Sequence, residues 1–310
     1  MSNCSVYFDR VVDDDTRRGE LYQGHLFVYS RSPATGELIA LGRELLNAAF
    51  APHDPRTVHR HLSATQVADI LGVMKPRFIH HPECKTLIRR ILEERGLDLD
   101  RTYFDVPRMR TAYPSDFLSA GIAYAFHPHR DTWYSAPACQ INWWIPIFEV
   151  ESDNAMGFFP RYFSTGVSNS SSGYNYYAWN ERRADAVKHV GADTRVQPRA
   201  QQQIERETIR VLPPPGGLIL FSGAQLHETV ANTTGVARYS IDFRTVNLDD
   251  VAARRGAANV DSQCTGTTMR DYLRATDLAH VPDEVVRLYD DGTERGATTL
   301  YFGDRLARGD

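Results

Sequence analysis

The sequence has 310 residues, 42% hydrophobic and 24% charged, a length and balance that suit one large core or two small ones. Against 39 Asp and Glu stand 35 Lys and Arg, a net charge of −4. The basic excess of a phosphate-backbone binder is therefore missing, and nucleic acid is not expected as a partner. No window reaches the ~18 consecutive apolar residues of a membrane helix, and the first thirty residues lack a signal peptide's apolar stretch, so no membrane partner and a cytoplasmic location are expected.

In chain order, residues 37–50 carry apolar residues at helical spacing and stop before Pro52, which predicts a helix. Ser63 stands where it caps a second helix holding Val67, Ile70, Leu71 and Met74. A third covers residues 82–95, with Pro82 in its first turn and Gly96 at its C-terminal cap. From about residue 101 the texture changes to short apolar or alternating runs bounded by Pro, Gly, Asn and Asp. Among them are GIAYAF (121–126), QINWWIPIFEV, GLILFS and VARYSIDFRTV, which read as strands of a sandwich or barrel. Residues 164–177, STGVSNSSSGYNYY, read as a long polar loop. The tail from Asp249 is mixed, with one helix expected over residues 268–273.

Cys4, Cys84, Cys139 and Cys264 are far apart and form no CxxC pair. This argues against a disulfide framework and a cysteine zinc site, and for reduced thiols. The expected organisation is a single catalytic domain over 1–310: a helical part (1–100), a β core (101–248) and a C-terminal extension (249–310).

Spacing selects among the eleven histidines. In an extended chain, residues i and i+2 point to one face, so His129 and Asp131 present an imidazole and a carboxylate to one point. That is two thirds of a 2-His-1-carboxylate facial triad, the ligand set of non-haem Fe(II). His81-Pro82-Glu83 is a rival pair, but it sits at a helix start and reads as capping and surface charge. His227 follows the strand GLILFS, with Arg238 eleven residues later and then Ser240. Residues 232–235, Asn-Thr-Thr-Gly, read as a hairpin turn. With the two threonines as its loop, Ser240 falls opposite His227 and Arg238 opposite Thr229, one polar patch on an apolar hairpin. A guanidinium beside a metal-binding His suits a dicarboxylic 2-oxo acid such as 2-oxoglutarate, the keto acid on the metal and the far carboxylate on Arg238, helped by Thr229 or Ser240.

These residues, with NWWIPIFEVESDNAMGFFP (142–160) and PPGGLILFSGAQLHETVANTTGVARYSIDF (214–243), resemble the Fe(II)/2-oxoglutarate-dependent oxygenases of the phytanoyl-CoA and ectoine hydroxylase-like branch. The resemblance covers residues 120–246. It implies a mainly β fold with flanking α: a double-stranded β-helix, the cupin-like jelly-roll, with helical additions at both ends. It implies metal ligands His129, Asp131 and His227, a 2-oxoglutarate anchor at Arg238, and cosubstrate contacts at Trp144 and Thr229. Trp144 also fits an ordinary core aromatic. Fe(II), 2-oxoglutarate and O2 are the implied cofactors, a small molecule the substrate, and succinate and CO2 the coproducts. The carboxylate at Asp131 fills the place where related halogenases have a small residue, so halogenation is not implied. The chain departs from the family after Pro160, where Arg161-Tyr162-Phe163 replaces a Gly-Ser-His turn, so the substrate does not carry over.

Several alternatives stay open. The enzyme is either a 2-oxoglutarate oxygenase or a cupin-type metalloenzyme that does not use this cosubstrate; a non-catalytic binding protein on the same fold is the third reading. Arg108, Arg110 and Tyr124 face either the cavity or the core. Residues 163–190, with Arg182 and Arg183, are either a lid for a polar substrate or a solvated loop.

Overall fold

The structure, a computed structural model, describes residues 4–118, 127–181, 197–205 and 207–290. The expected strand 121–126 with Tyr124, and Arg182 and Arg183, lie outside the described residues. Four helices open the chain: α1 (Asp14–Tyr22), α2 (Pro33–Phe50), α3 (Ala64–Ile79) and α4 (Pro82–Glu94). α2 begins four residues before the expected start, because Ser32 and Thr35 form a capping box and Pro33 occupies the first turn. Ser63 caps α3 as expected, accepting from the Gln66 backbone N–H at 3.3 Å. α4 buries Leu87, Ile88, Ile91 and Leu92 on one face, and Gly96 follows it at φ +73°, a left-handed value glycine adopts freely.

Among the described residues the strands are β1 (Val6–Phe8), β2 (Leu26–Tyr29), β3 (Thr102–Phe104), β4 (Arg108–Ala112), β5 (Ile141–Pro146), β6 (Met156–Phe158), β7 (Ile209–Val211), β8 (Leu218–Ser222), β9 (His227–Thr229), β10 (Arg238–Asn247) and β11 (Leu273–Arg274). The larger sheet has the order β1-β2-β8-β5-β10-β3-β11, with β4 also on β10. The smaller has the order β7-β6-β9, and a bridge between His129 and His227 extends it at β9. Side chains of β5 and β10 and of β6 and β9 line one cavity, so the two sheets face each other across it.

Alternation along the central strands separates packing from chemistry. On β10, Tyr239, Ile241 and Phe243 join the hydrophobic cluster shared with α2, α3 and α4, while Arg238, Asp242 and Arg244 line the cavity. On β5, Ile141, Trp143 and Ile145 pack toward the helices and Asn142 and Trp144 turn the other way. Gly42 lets α2 approach closely: a Cβ there would meet Ile147 Cδ1 at 3.2 Å.

Two expectations are corrected. β9 and β10 do not form a hairpin: β9 pairs with β6, placing His227 opposite Phe158 and Thr229 opposite Met156, while β10 pairs with β4 and β5. Residues 230–237 instead carry the chain from one sheet to the other. Asn232 holds that crossing, donating to Ala112 O at 2.8 Å and Val236 O at 2.9 Å and accepting from Thr234 N at 3.0 Å. The helix expected over 268–273 is only a 3₁₀ turn, Met269–Asp271, because Leu273 and Arg274 leave it to pair with β3. The four cysteines are free, and no helix among the described residues is long and apolar enough to cross a membrane.

Ile241 is fully buried at the centre of β10. Ile241→Ala is expected to lower the unfolding free energy by ~2–5 kcal/mol in urea titrations, since the rigid sheet and helix leave a cavity. A loss under about 1 kcal/mol would place the core elsewhere.

Candidate active site

The His129–His227 pair begins with the backbone. The two residues are direct antiparallel partners: His129 N donates to His227 O at 2.9 Å and His227 N to His129 O at 3.0 Å. Opposed residues share a face, and the ring centroids lie 4.3 Å apart. Each Nδ1 faces the carbonyl two residues earlier, His127 O at 2.8 Å and Gln225 O at 2.9 Å. A carbonyl only accepts, so each Nδ1 carries the proton and each Nε2 is left with a lone pair for a metal.

Arg130 is extended, so Asp131 returns to the face of His129, as the i, i+2 rule predicts. The Asp131 N–H donates to Gly223 O at 2.8 Å, and its Oδ1 lies 3.6 Å from His129 Nε2. Ligand atoms of His129, Asp131 and His227 all fall within 4.8 Å of one another, and all three residues are buried. Arg130 points the opposite way and anchors this turn. It is fully buried, with Nε on Asp261 Oδ2 at 3.0 Å and other nitrogens on Ala224 O and Thr165 O; Trp133 Nε1 joins the same carboxylate at 2.7 Å.

Burial alone would raise the Asp131 carboxyl, but the Arg244 guanidinium leads the opposing charges that hold it well below the usual carboxylate range. Burial, reinforced by the His129 ring, pushes His227 down to about 3, so its imidazole is neutral near pH 7. An anionic oxygen donor and two imidazole nitrogens converge, a set suited to a divalent first-row metal.

The cavity beside the triad has a volume of about 380 Å³ and reaches Arg238, Trp144 and Thr229. Arg238 is 4% exposed, and among the described residues its Nε and Nη1 have no hydrogen-bond partner. Burial lowers its pKa only to about 10, so a charged guanidinium faces the cavity at neutral pH. Its terminal carbon stands 5.6 Å from the Trp144 ring centroid. Asp242 on the same strand face partly offsets the charge, but buried guanidinium donors without hydrogen bonds are costly, which suits a site whose acceptor arrives with a ligand. Trp144 is both a core aromatic and a wall of this cavity. Ser240 shares the Arg238 face of β10 and is fully buried with its Oγ unpartnered among the described residues, but it does not line the cavity.

Arg108 and Arg110 both face the cavity, each held by a carboxylate: Arg108 by Asp105, Arg110 by Asp242 at 2.7 and 3.3 Å. From residues 163–190, Tyr174, Tyr176 and Trp179 form part of the wall beside Tyr134. The sequence reading missed Gln140, Arg244 and the clamp of Arg130. For Arg244 a signal was present, since 238, 240, 242 and 244 alternate onto one face.

No family model and no curated protein matches the chain. Among solved structures it is similar to EvdO2 from Micromonospora carbonacea var. aurantiaca complexed with 2-oxoglutarate, at 12% identity and a TM-score of 0.46 over 77% of this chain and 92% of that one. It is also similar to SnoN, a non-heme alpha-ketoglutarate-dependent epimerase from nogalamycin biosynthesis, at 13% identity and TM-score 0.36 over 76% and 84% of the two chains. A third is apo ThoJ, a non-heme monooxygenase, at 14% identity and TM-score 0.37 over 70% and 71%.

Lys75, on α3, also lines the cavity; burial, reinforced by Arg110, pushes its ammonium down to about 7. An unfolded lysine titrates near ~10.4. Between those values the unfolded chain binds the extra proton, so this group makes stability rise with pH across that window and adds a constant penalty below it. Urea unfolding at about pH 6.5 and 9.5 is expected to show a smaller pH-dependent gain for Lys75→Met than for the unaltered protein. An equal gain in both would contradict the lowered pKa of the half-buried Lys75.

Proposed function

We propose that this chain is a non-haem Fe(II)/2-oxoglutarate-dependent oxygenase that oxidises a polar small molecule, hydroxylation being the expected outcome, with release of succinate and CO2. The observation that carries this reading is a conjunction within one cavity: three convergent metal-ligand side chains and a buried guanidinium whose Nε and Nη1 have no hydrogen-bond partner among the described residues. His129, Asp131 and His227 are the proposed iron ligands. Arg238 is the proposed anchor for the far carboxylate of 2-oxoglutarate, beside Trp144 and Thr229. Ser240 contributes through the strand that carries Arg238.

The donor set fits the metal. Two imidazole nitrogens and one carboxylate oxygen are the ligands of the facial triad, and they leave coordination positions open. The unpartnered guanidinium argues for 2-oxoglutarate against a metalloenzyme without it, because such an enzyme has no use for a buried cation facing its cavity. Iron with 2-oxoglutarate and O2 supplies the oxidising power, and the protein supplies position and exclusion of water. His129 and His227 hold their Nε2 lone pairs toward the metal through the carbonyls of His127 and Gln225. Arg238 sets the direction from which the keto acid would enter, and it stays charged at neutral pH although burial lowers its pKa to about 10.

The two sheets, with strand order β4-β10-β5-β8 facing β7-β6-β9 and the His129 bridge, support the double-stranded β-helix reading. The phytanoyl-CoA and ectoine hydroxylase-like branch is the finer placement, and it rests on the motifs around residues 127–131 and 214–243. A single catalytic unit working in the cytoplasm completes the proposal.

Mixing the protein with Fe(II) and 2-oxoglutarate under argon is expected to produce a weak visible charge-transfer band. His227→Ala or Asp131→Ala should abolish it. Arg238→Ala should weaken 2-oxoglutarate binding by ~2–5 kcal/mol, the range for losing one partner of a buried charge pair. A band that survives His227→Ala, or 2-oxoglutarate affinity indifferent to Arg238, overturns the assignment.

A further inference from the structure

We infer that Gln140 and Arg244 are positioning residues that keep Asp131 a one-oxygen ligand; the inference rests on the reading of His129, Asp131 and His227 as an iron site. The two carboxylate oxygens of Asp131 have different surroundings. Oδ1 turns toward His129, 3.6 Å from its Nε2. Oδ2 accepts from Gln140 Nε2 at 2.7 Å and lies 3.4 Å from Arg244 Nε.

Both partners are themselves fixed. Gln140 Oε1 accepts from the buried Tyr272 hydroxyl at 2.6 Å, and its Nε2 also donates to Asn142 Oδ1 at 2.8 Å. Arg244 Nη1 donates to Asp105 Oδ2 at 3.2 Å. The backbone N–H of Arg244 donates to Asp105 Oδ1 at 2.7 Å, and Asp105 N returns a bond to Arg244 O at 3.0 Å. Asp105 sits where the edge along β10 passes from β3 to β4, so the sheet itself holds the carboxylate that holds the arginine.

A carboxylate becomes bidentate by turning its second oxygen toward the metal. A hydrogen-bond donor on that oxygen and a guanidinium beside it oppose the turn and draw electron density from the ligand. With one oxygen from Asp131 and one nitrogen from each imidazole, half of an octahedral shell stays free for a two-point chelator and O2. Releasing Oδ2 should therefore strengthen the hold on the metal and close a position that the chelator needs.

The test compares Arg244→Met and Gln140→Leu with the unaltered protein under argon. One measurement is Fe(II) affinity, read by quenching of tryptophan fluorescence. The other is the affinity of the iron-loaded protein for 2-oxoglutarate and for oxalate, a chelator with no distal carboxylate for Arg238 to hold. Both variants are expected to bind Fe(II) more tightly, because Oδ2 is free to join the metal, and both chelators more weakly, because a position is lost. Arg244→Lys, which keeps a cation, should return part of each change. Arg238→Ala should weaken 2-oxoglutarate alone, which separates a lost carboxylate contact from a closed metal position. Unchanged or weaker Fe(II) binding in both variants overturns the inference, as does chelator affinity that does not fall; either result leaves the iron site standing. If the unaltered protein binds neither Fe(II) nor 2-oxoglutarate, the functional reading fails and the inference with it. If Arg244→Met lacks the far-ultraviolet circular dichroism of the unaltered protein, Gln140→Leu decides alone.

Discussion

The site depends on one register: His129 opposite His227, joined by two backbone hydrogen bonds. Side chains alternate along a strand, so a slip of one residue on either side would send an imidazole to the other face. The bridge is short, and its neighbours secure it. Asp131 N binds Gly223 O two residues beyond the pair, and Phe158 pairs with His227 from the opposite edge. Gly223 is needed for the close approach: a Cβ there would lie 3.1 Å from Gln140 Nε2 and 3.5 Å from Asp131 Cβ.

Two buried arginines near this bridge have opposite meanings. Arg130 has an acid and backbone carbonyls on its guanidinium, so its burial is explained by folding alone. Arg238 has a comparable burial and keeps Nε and Nη1 without a hydrogen-bond partner among the described residues. The contrast separates a cation satisfied by the fold from one with free donors facing a cavity, and neither residue type nor burial distinguishes them. Only the count of satisfied donors does.

The sequence carried the helices well, because Ser63, Pro82 and Gly96 mark ends by local chemistry that tertiary contacts did not override. His129 and Asp131 were legible for the same reason, since a two-residue period is local. Arg238 was reached by a pairing that does not exist. Alternation tells which residues of β10 share a face, but not which strand lies beside it, and residues 230–237 cross between sheets where a hairpin turn was read. Gln140 and Asp105 left no trace, because their contacts to Asp131 and Arg244 join segments unrelated by any period. The tail helix failed because Leu273 and Arg274 have a strand to pair with.

The most direct measurement is anomalous diffraction at the iron absorption edge from crystals grown anaerobically with Fe(II). The account predicts one strong peak bonded to Nε2 of His129, Nε2 of His227 and a single oxygen of Asp131. A peak elsewhere in the molecule, or none between these three side chains at full Fe(II) loading, would contradict it.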